Sequence, residues 1–218
     1  MKKIILMFVL FSSILLTAQR NKDGNRIGIS GGVTQTAVKT SNFNTSPEMG
    51  FVGGLSVRGN FYNDFSMIFG MQFFESNFSV KTLKPTTLAV EDLKYKMMGV
   101  QIKLLLSYNI IQDHLAIDLG PVLQVNDKLK FNKSSALNII QGTALLADQV
   151  VDISKINGNL YAGISGGTKR VKLVFSYQYG VNNFMNGINQ KPASVLANGG
   201  NKFSGNYSII SGQLMINL

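Results

Sequence analysis

Large apolar side chains alternate with small or polar ones along most of this chain. In "NDFSMIFGMQFFES", Asn63 to Ser76, the residues Phe65, Met67, Phe69, Met71 and Phe73 are separated by Ser66, Ile68, Gly70 and Gln72. A helix turns about 100° per residue and would scatter those five side chains, whereas a strand sets them on one face. Seven more segments share the period. They are "RIGISGGVT" (26–34), "GFVGGLSVRGNF" (50–61), "YKMMGVQIKLLLSYNI" (95–110), "HLAIDLGPVLQVND" (114–127), the weaker "NLYAGISGG" (159–167), "VKLVFSYQYG" (171–180) and "YSIISGQLMINL" (207–218). Each is long enough for a tilted transmembrane strand, which needs about 9 to 11 residues.

The connections sort into two kinds. Those at 61–64, 111–113 and 168–170 are tight, and they follow the second, fourth and sixth segments. The links near 35–49, 80–93, 128–157 and 181–203 are long, and they follow the first, third, fifth and seventh. An even strand number with all long links at one end is the pattern of an outer-membrane barrel, with short periplasmic turns and longer extracellular loops. The expected fold is therefore all-β: an eight-stranded antiparallel transmembrane β-barrel.

The two faces agree with that reading. Opposite the Leu, Phe and Met row stand mostly Gly, Ser, Asn and Gln, which suit a narrow polar lumen, while a soluble barrel would keep its charges outside. Pro121 falls on the outward face of the fifth segment, where it cannot donate to a ladder; it is a local defect for a central strand that a bulge would absorb, and it argues against this register. Tyr108, Tyr177, Tyr179, Phe61, Tyr62, Phe73 and Phe74 gather near strand ends, as aromatic girdles do.

Composition narrows the class. The chain of 218 residues opens "MKKIILMFVLFSSILLTAQR": Lys2 and Lys3, an apolar run from Ile4 to Leu16, then small residues. That layout predicts a cleaved secretory signal over 1–18, leaving 19–218 as the barrel domain. Losing Lys2 and Lys3 lowers the formal charge from +10 to +8, but Lys and Arg are dispersed and an exported chain does not meet nucleic acid. The absence of Cys excludes a lipoprotein anchor and disulfides.

Candidate chemistry is sparse. His114 is the single histidine and sits beside a tight turn, without a second His or a Cys for a metal site. A nucleophile–base arrangement is not legible, so no enzymatic activity and no cofactor are expected. "SGGTKR" lacks the lysine–hydroxyl pattern of a phosphate loop; its glycines, like those of "SGG" at 30–32, fit a crowded small barrel. Four lumen-face charges, Arg58, Lys103, Asp118 and Lys172, form the candidate site. Buried charge is costly unless paired or hydrated, and Lys103 and Asp118 lie almost opposite each other, counting back from the turn at 111–113. A lumen ion pair or hydrated network is expected. The links at 128–157 and 181–203, the longest, are candidate binding loops or lids, with Ala136–Val151 a short helix or a hairpin extension.

With these residues in place, the chain resembles the small outer-membrane β-barrel family of Bacteroidetes described as PorT-like. The resemblance rests on "MKKIILMFVL…TAQ", "GISGGVT", "MGVQIKLLLSYNI", "LAIDLGPVLQ" and "GNYSIISGQLMINL". It implies an eight-stranded barrel inserted by the barrel-assembly machinery, with no catalytic residues to transfer. Many relatives end in Phe, whereas this chain ends in Leu218. The named PorT-like protein is associated with type IX secretion and gliding. The resulting expectation is a non-enzymatic barrel presenting its loops, in contact with outer-membrane lipids, lipopolysaccharide and an envelope protein partner. An accessory role in a secretion or transport assembly is the alternative, followed by a narrow pore and an exported lipocalin-like binder.

Overall fold

The computed structural model describes residues 25–60 and 64–218; the expected signal segment and most of the 61–64 turn lie outside them. The alternating segments form β1 (Arg26–Thr40), β2 (Thr45–Asn60), β3 (Phe65–Leu83), β4 (Val90–Ile111), β5 (Leu115–Asn126), β7 (Ile156–Gly167), β8 (Val171–Gly180) and β9 (Gly205–Asn217). A further strand, β6 (Ile139–Ile140), and a short helix, α1 (Pro192–Ala197), lie in the two longest connections.

All nine strands belong to one antiparallel sheet in the order β2-β1-β9-β8-β7-β5-β4-β3-β6, and a β2–β3 pairing closes the hydrogen bonds into a ring. The strand number thus differs from the eight expected. The extra strand, β6, pairs with the end of β3 through Thr82↔Ile140 and Leu83↔Ile139, and the ring itself passes through the other eight. Two residues carry too little periodicity to announce a strand in the sequence.

The ring is apolar outside and polar inside. Phe65, Met67, Phe69, Met71 and Phe73 of β3 are exposed, as are Leu104, Leu106, Leu119, Leu123, Leu173, Phe175, Leu214 and Ile216 on other strands. Facing inward and buried are Ser30, Ser66, Gln72, Gln101, Ser107, Gln124, Ser176, Gln178, Ser211 and Gln213. A water-soluble protein reverses this distribution; an apolar belt that girdles a polar interior matches a wall surrounded by lipid. Close packing inside needs small residues, and Gly32 shows why: a Cβ there would lie 2.0 Å from the Gly212 carbonyl oxygen.

Pro121 sits on the outward face of β5 without a bulge. The β4–β5 register is the same at Lys103↔Val122 and at Leu106↔Leu119, with no pairs between, and the register shift lies near the turn at Asn109/Ile111. The sheet accommodates the missing donor by leaving a gap in one ladder.

Two of the four long links are strand rather than loop. β1 and β2 meet at residues 41–44, and β3 and β4 meet at 84–89, so both hairpins run on past the apolar belt. Beyond Val33, Phe51, Phe73 and Met98 the outer face carries Gln35, Glu48, Glu75, Lys81, Lys94 and Lys96. The apolar row stops there while the backbone ladder continues, so the period that reveals a strand fades before the strand ends. The wall is therefore tall along β1–β4 and short along β5, β7 and β8. Residues 127–155 and 181–204 fill the difference in height.

Candidate functional site in the lumen and cap

From the tight-turn end upward, the interior is built in layers. At the rim, Arg26 and Lys169 both pair with Asp113, the latter at 3.4 Å, and hold its carboxyl below the usual carboxylate range, Arg26 being the stronger influence. His114 lies at this rim, its Nδ1 2.8 Å from the Gly167 carbonyl oxygen, joining two turns.

Above the rim come the four charges singled out in the sequence. Arg58 on β2 donates from Nη1 to Ser66 Oγ at 2.8 Å and to Ser107 Oγ at 2.6 Å, and its Nη2 is 3.5 Å from Asp118 Oδ1 on β5. The guanidinium thus crosses two intervening strands. Lys103 is not opposite Asp118: the register sets it against Val122 and sets Asp118 against Ser107. The Lys103 Nζ instead stands 5.0 Å from the centre of the Tyr161 ring, a cation–π contact. Lys103, Asp118 and Lys172 are 5%, 3% and 3% exposed. A cavity of about 30 Å³, lined by Lys103, Asp118, Gln72 and Tyr161 among others, has room for a water or two. Asp118 Oδ1 and Gln72 Oε1 have no hydrogen-bond partner among the described residues. One water accepting from Lys103 and donating to either oxygen would satisfy that acceptor.

Ile68, Leu105, Val122 and Tyr161 form a small apolar layer beside this cavity. Over it lie two amide chains. Gln72 Nε2 donates to Ser30 Oγ and to Gln213 Oε1, both at 2.7 Å. Higher up, Gln178 donates to Gln101, Gln101 to Gln124 and Gln124 to Asn126, at 3.3, 2.8 and 2.7 Å. Side chains thus span the lumen at several heights, and little space is left to conduct.

The sequence did not reveal the cap. Phe78, Tyr95 and Met97 of the tall hairpin, Leu145 and Val150 of the first long loop, and Phe184 and Phe203 of the second share one buried core. Tyr95 stacks on Phe78 at 5.6 Å and donates through its hydroxyl to the Ala147 carbonyl at 2.8 Å. Phe184 meets Tyr207 edge-on at 5.2 Å. Of the two forms expected over 136–151, a short helix or a hairpin extension, the loop takes the second in part. β6 pairs with β3, Ile139 bridges Leu146 antiparallel with Ile140 N–H donating to the Leu145 carbonyl at 2.8 Å, and 3-10 turns at Lys133–Ser135 and Ala147–Val150 flank it. The available signal was the cluster of large apolar residues in loops otherwise rich in Asn and Ser.

The loops are also tied by charge. Asp152 pairs with Lys128 at 2.9 Å and with Lys191 from the other loop, and the two ammonium groups, Lys191 first, hold its carboxyl below the usual range. A depressed carboxyl contributes stability above the unfolded-state value, about pH 4, and that contribution disappears as pH falls through the folded titration. Spin labels at Lys133→Cys and Lys202→Cys should report one narrow distance at pH 7 and a broader one once the pH has fallen well below the unfolded-state value of about 4, through the folded titration. Lys191→Met should broaden it at both; a distribution indifferent to both changes would mean that the pair does not join the loops.

Among the described residues, no three His, Cys, Asp or Glu side chains are grouped to hold a metal ion. The family model described as "Outer membrane protein beta-barrel domain" matches residues 17–186. No curated protein matches the chain. Among solved structures, the chain is similar to Neisserial surface protein A at 12% identity and a TM-score of 0.48, over 88% of this chain and 98% of that one. It is also similar to Ail, the attachment invasion locus protein of Yersinia pestis, solved with the heparin analogue sucrose octasulfate, at 14% identity and TM-score 0.49, over 89% and 99%. A third, OprG of Pseudomonas aeruginosa, stands at 12% and 0.45, over 91% and 97%.

Proposed function

The chain belongs to the outer membrane protein beta-barrel domain family, and from that premise we propose a non-enzymatic surface barrel whose two long loops form a fixed recognition cap. The location is the outer membrane. In this reading residues 1–18 are removed on export, the barrel-assembly machinery inserts the chain, the tight turns face the periplasm and the cap faces outward. The cap meets lipopolysaccharide or an envelope protein, while the lumen with Arg58, Lys103, Asp118 and Lys172 holds the wall together. One observation carries this reading: both long loops pack into an apolar core over a lumen crossed by side chains, which supports a rigid presenting surface rather than a gate. The same crossing side chains speak against a narrow pore.

An accessory role in a secretion assembly, of the type IX kind that the PorT-like resemblance implies, is favoured by one feature. The β3–β4 hairpin projects Leu88 and Val90, and the adjoining loop Leu137, as exposed apolar residues 68%, 54% and 65% accessible, suited to a protein partner.

The test alters the cap surface and spares its core. Leu137→Ser, Leu196→Ser, Lys133→Glu and Lys202→Glu together should leave the heat-dependent gel shift unchanged and reduce recovery of co-purifying envelope components about tenfold, on the order of 1.4 kcal/mol of binding. Undiminished recovery, with loss on Lys169→Glu and Arg170→Glu at the opposite end, would assign function to the periplasmic face.

A further inference from the structure

On the short side of the wall, the two long loops leave a groove of about 670 Å³ between them. Its polar lining includes Lys128, Asp152, Lys155, Asn186, Gln190 and Lys191. Three ammonium groups face one carboxylate. Asp152 is engaged by Lys128 and Lys191, and among the described residues Lys155 has no carboxylate within 4.0 Å. The groove is built rather than incidental. Gly187 lies so close to the first loop that a Cβ would stand 2.6 Å from the carbonyl oxygens of Asp152 and Ile153. Ser154 stitches the loops by donating its N–H to Phe184 at 2.9 Å and its hydroxyl to the Asn183 carbonyl at 3.0 Å.

Position gives the ligand class. Lys155 immediately precedes β7, and Lys128 follows the end of β5, so the charges stand where the apolar belt stops. Ile156 lines the groove and pairs with Val125, and beside them on the outer face lie Leu160 and Val181, all four exposed. A basic groove continuous with an apolar strip matches an amphiphile: anionic headgroup in the groove, chains along the wall. A soluble anion would leave the strip unused, and an uncharged lipid would leave Lys155 without a partner.

We propose that this groove holds the phosphorylated headgroup of an outer-leaflet glycolipid, with Lys128, Lys155 and Lys191 on the phosphate, Asn186 and Gln190 on sugar hydroxyls, and acyl chains against Val125, Ile156 and Leu160. The proposal rests on the outward orientation of the cap given above.

The test uses the full chain in phosphatidylcholine nanodiscs. Native mass spectrometry compares three probes: diphosphorylated lipid A, its dephosphorylated form, and the soluble glucosamine disaccharide bisphosphate without acyl chains. The first should be retained at least about tenfold better than the others, as headgroup and chains together require. Lys155→Glu should reduce its retention about tenfold without altering the gel shift, and Lys39→Glu on the tall side should leave it unchanged. Equal retention of the soluble bisphosphate, or of lipid A by Lys155→Glu, would overturn the assignment. The failure of the cap reading looks different. Lipid A binding lost in Lys155→Glu, together with cysteine labelling of the loops from the periplasm, would move the cap to the inner side and leave the groove's chemistry intact. Envelope partners lost from the cap-surface variant, with no lipid A retained by the unaltered protein, would overturn the groove assignment and leave the recognition cap standing.

Discussion

Phe69→Arg is expected to lower the folding stability of the barrel in phospholipid vesicles by about 2–4 kcal/mol, the cost of an Arg on the lipid face near mid-depth. Phe69 is the central member of the outward row of β3, flanked by Val57 on β2 and Leu104 on β4, and it is 54% exposed. In water, exposing Arg in place of Phe would cost little or would help solubility, so the sign and size of the effect separate a lipid-facing wall from a solvent-facing one. Lys81→Arg, above the belt on the same strand, is the control and should be neutral within about 0.5 kcal/mol. The measurement is a denaturant titration in vesicles, with the folded fraction read from unboiled gels because the chain has no Trp to report by fluorescence. A Phe69→Arg protein as stable as the unaltered one would remove the membrane belt from the description of this face.

The belt was legible in the sequence because lipid imposes a simple rule on every second residue. The outward and inward sets read from Phe65–Phe73, Ile102–Tyr108 and Leu173–Tyr179 coincide with the exposed and buried sets of the strands. Where the surroundings change, the rule stops. Val90–Lys94 is as much a strand as Ile102–Leu106, yet its outer residues Asp92 and Lys94 face water, so the strand was read to begin only at Tyr95. The cap was hidden for another reason. Phe184, Phe203, Tyr95 and Leu145 are distant in sequence and meet only after the ring has closed. The lumen charges were visible as four inward positions, but their pairing was not. Neighbouring-strand register is local information; contact between Arg58 on β2 and Asp118 on β5 depends on curvature, which brings nonadjacent strands within a side chain's reach.

That curvature sets the second large effect, at Asp118. Asp118→Asn keeps the side chain's shape and removes the carboxylate from the layer shared with Arg58 and Lys103, with the buried Lys172 below it toward the turn end. The nearest alternative anion, Asp113 at the rim, is already engaged by Arg26 and Lys169. Three cations in a side-chain-filled lumen would then repel one another with only hydroxyls, the Tyr161 face and water to solvate them. Removing one partner of a buried ion pair costs about 3–5 kcal/mol, because the remaining charge is left uncompensated. The loss should fall toward the lower figure here, since Lys172 lies near the turn end and Arg58 keeps two serine hydroxyls. Arg58→Gln alone should cost less, because Asp118 retains Lys103 and Lys172 as neighbours. Combining Arg58→Gln with Asp118→Asn should recover part of the loss, giving a coupling of about 1 kcal/mol or more in a double-mutant cycle. The same vesicle titration measures all three variants. If Asp118→Asn costs less than about 1 kcal/mol, or if the two changes simply add, water rather than the carboxylate compensates these cations, and the Arg58–Asp118 contact does not hold the wall.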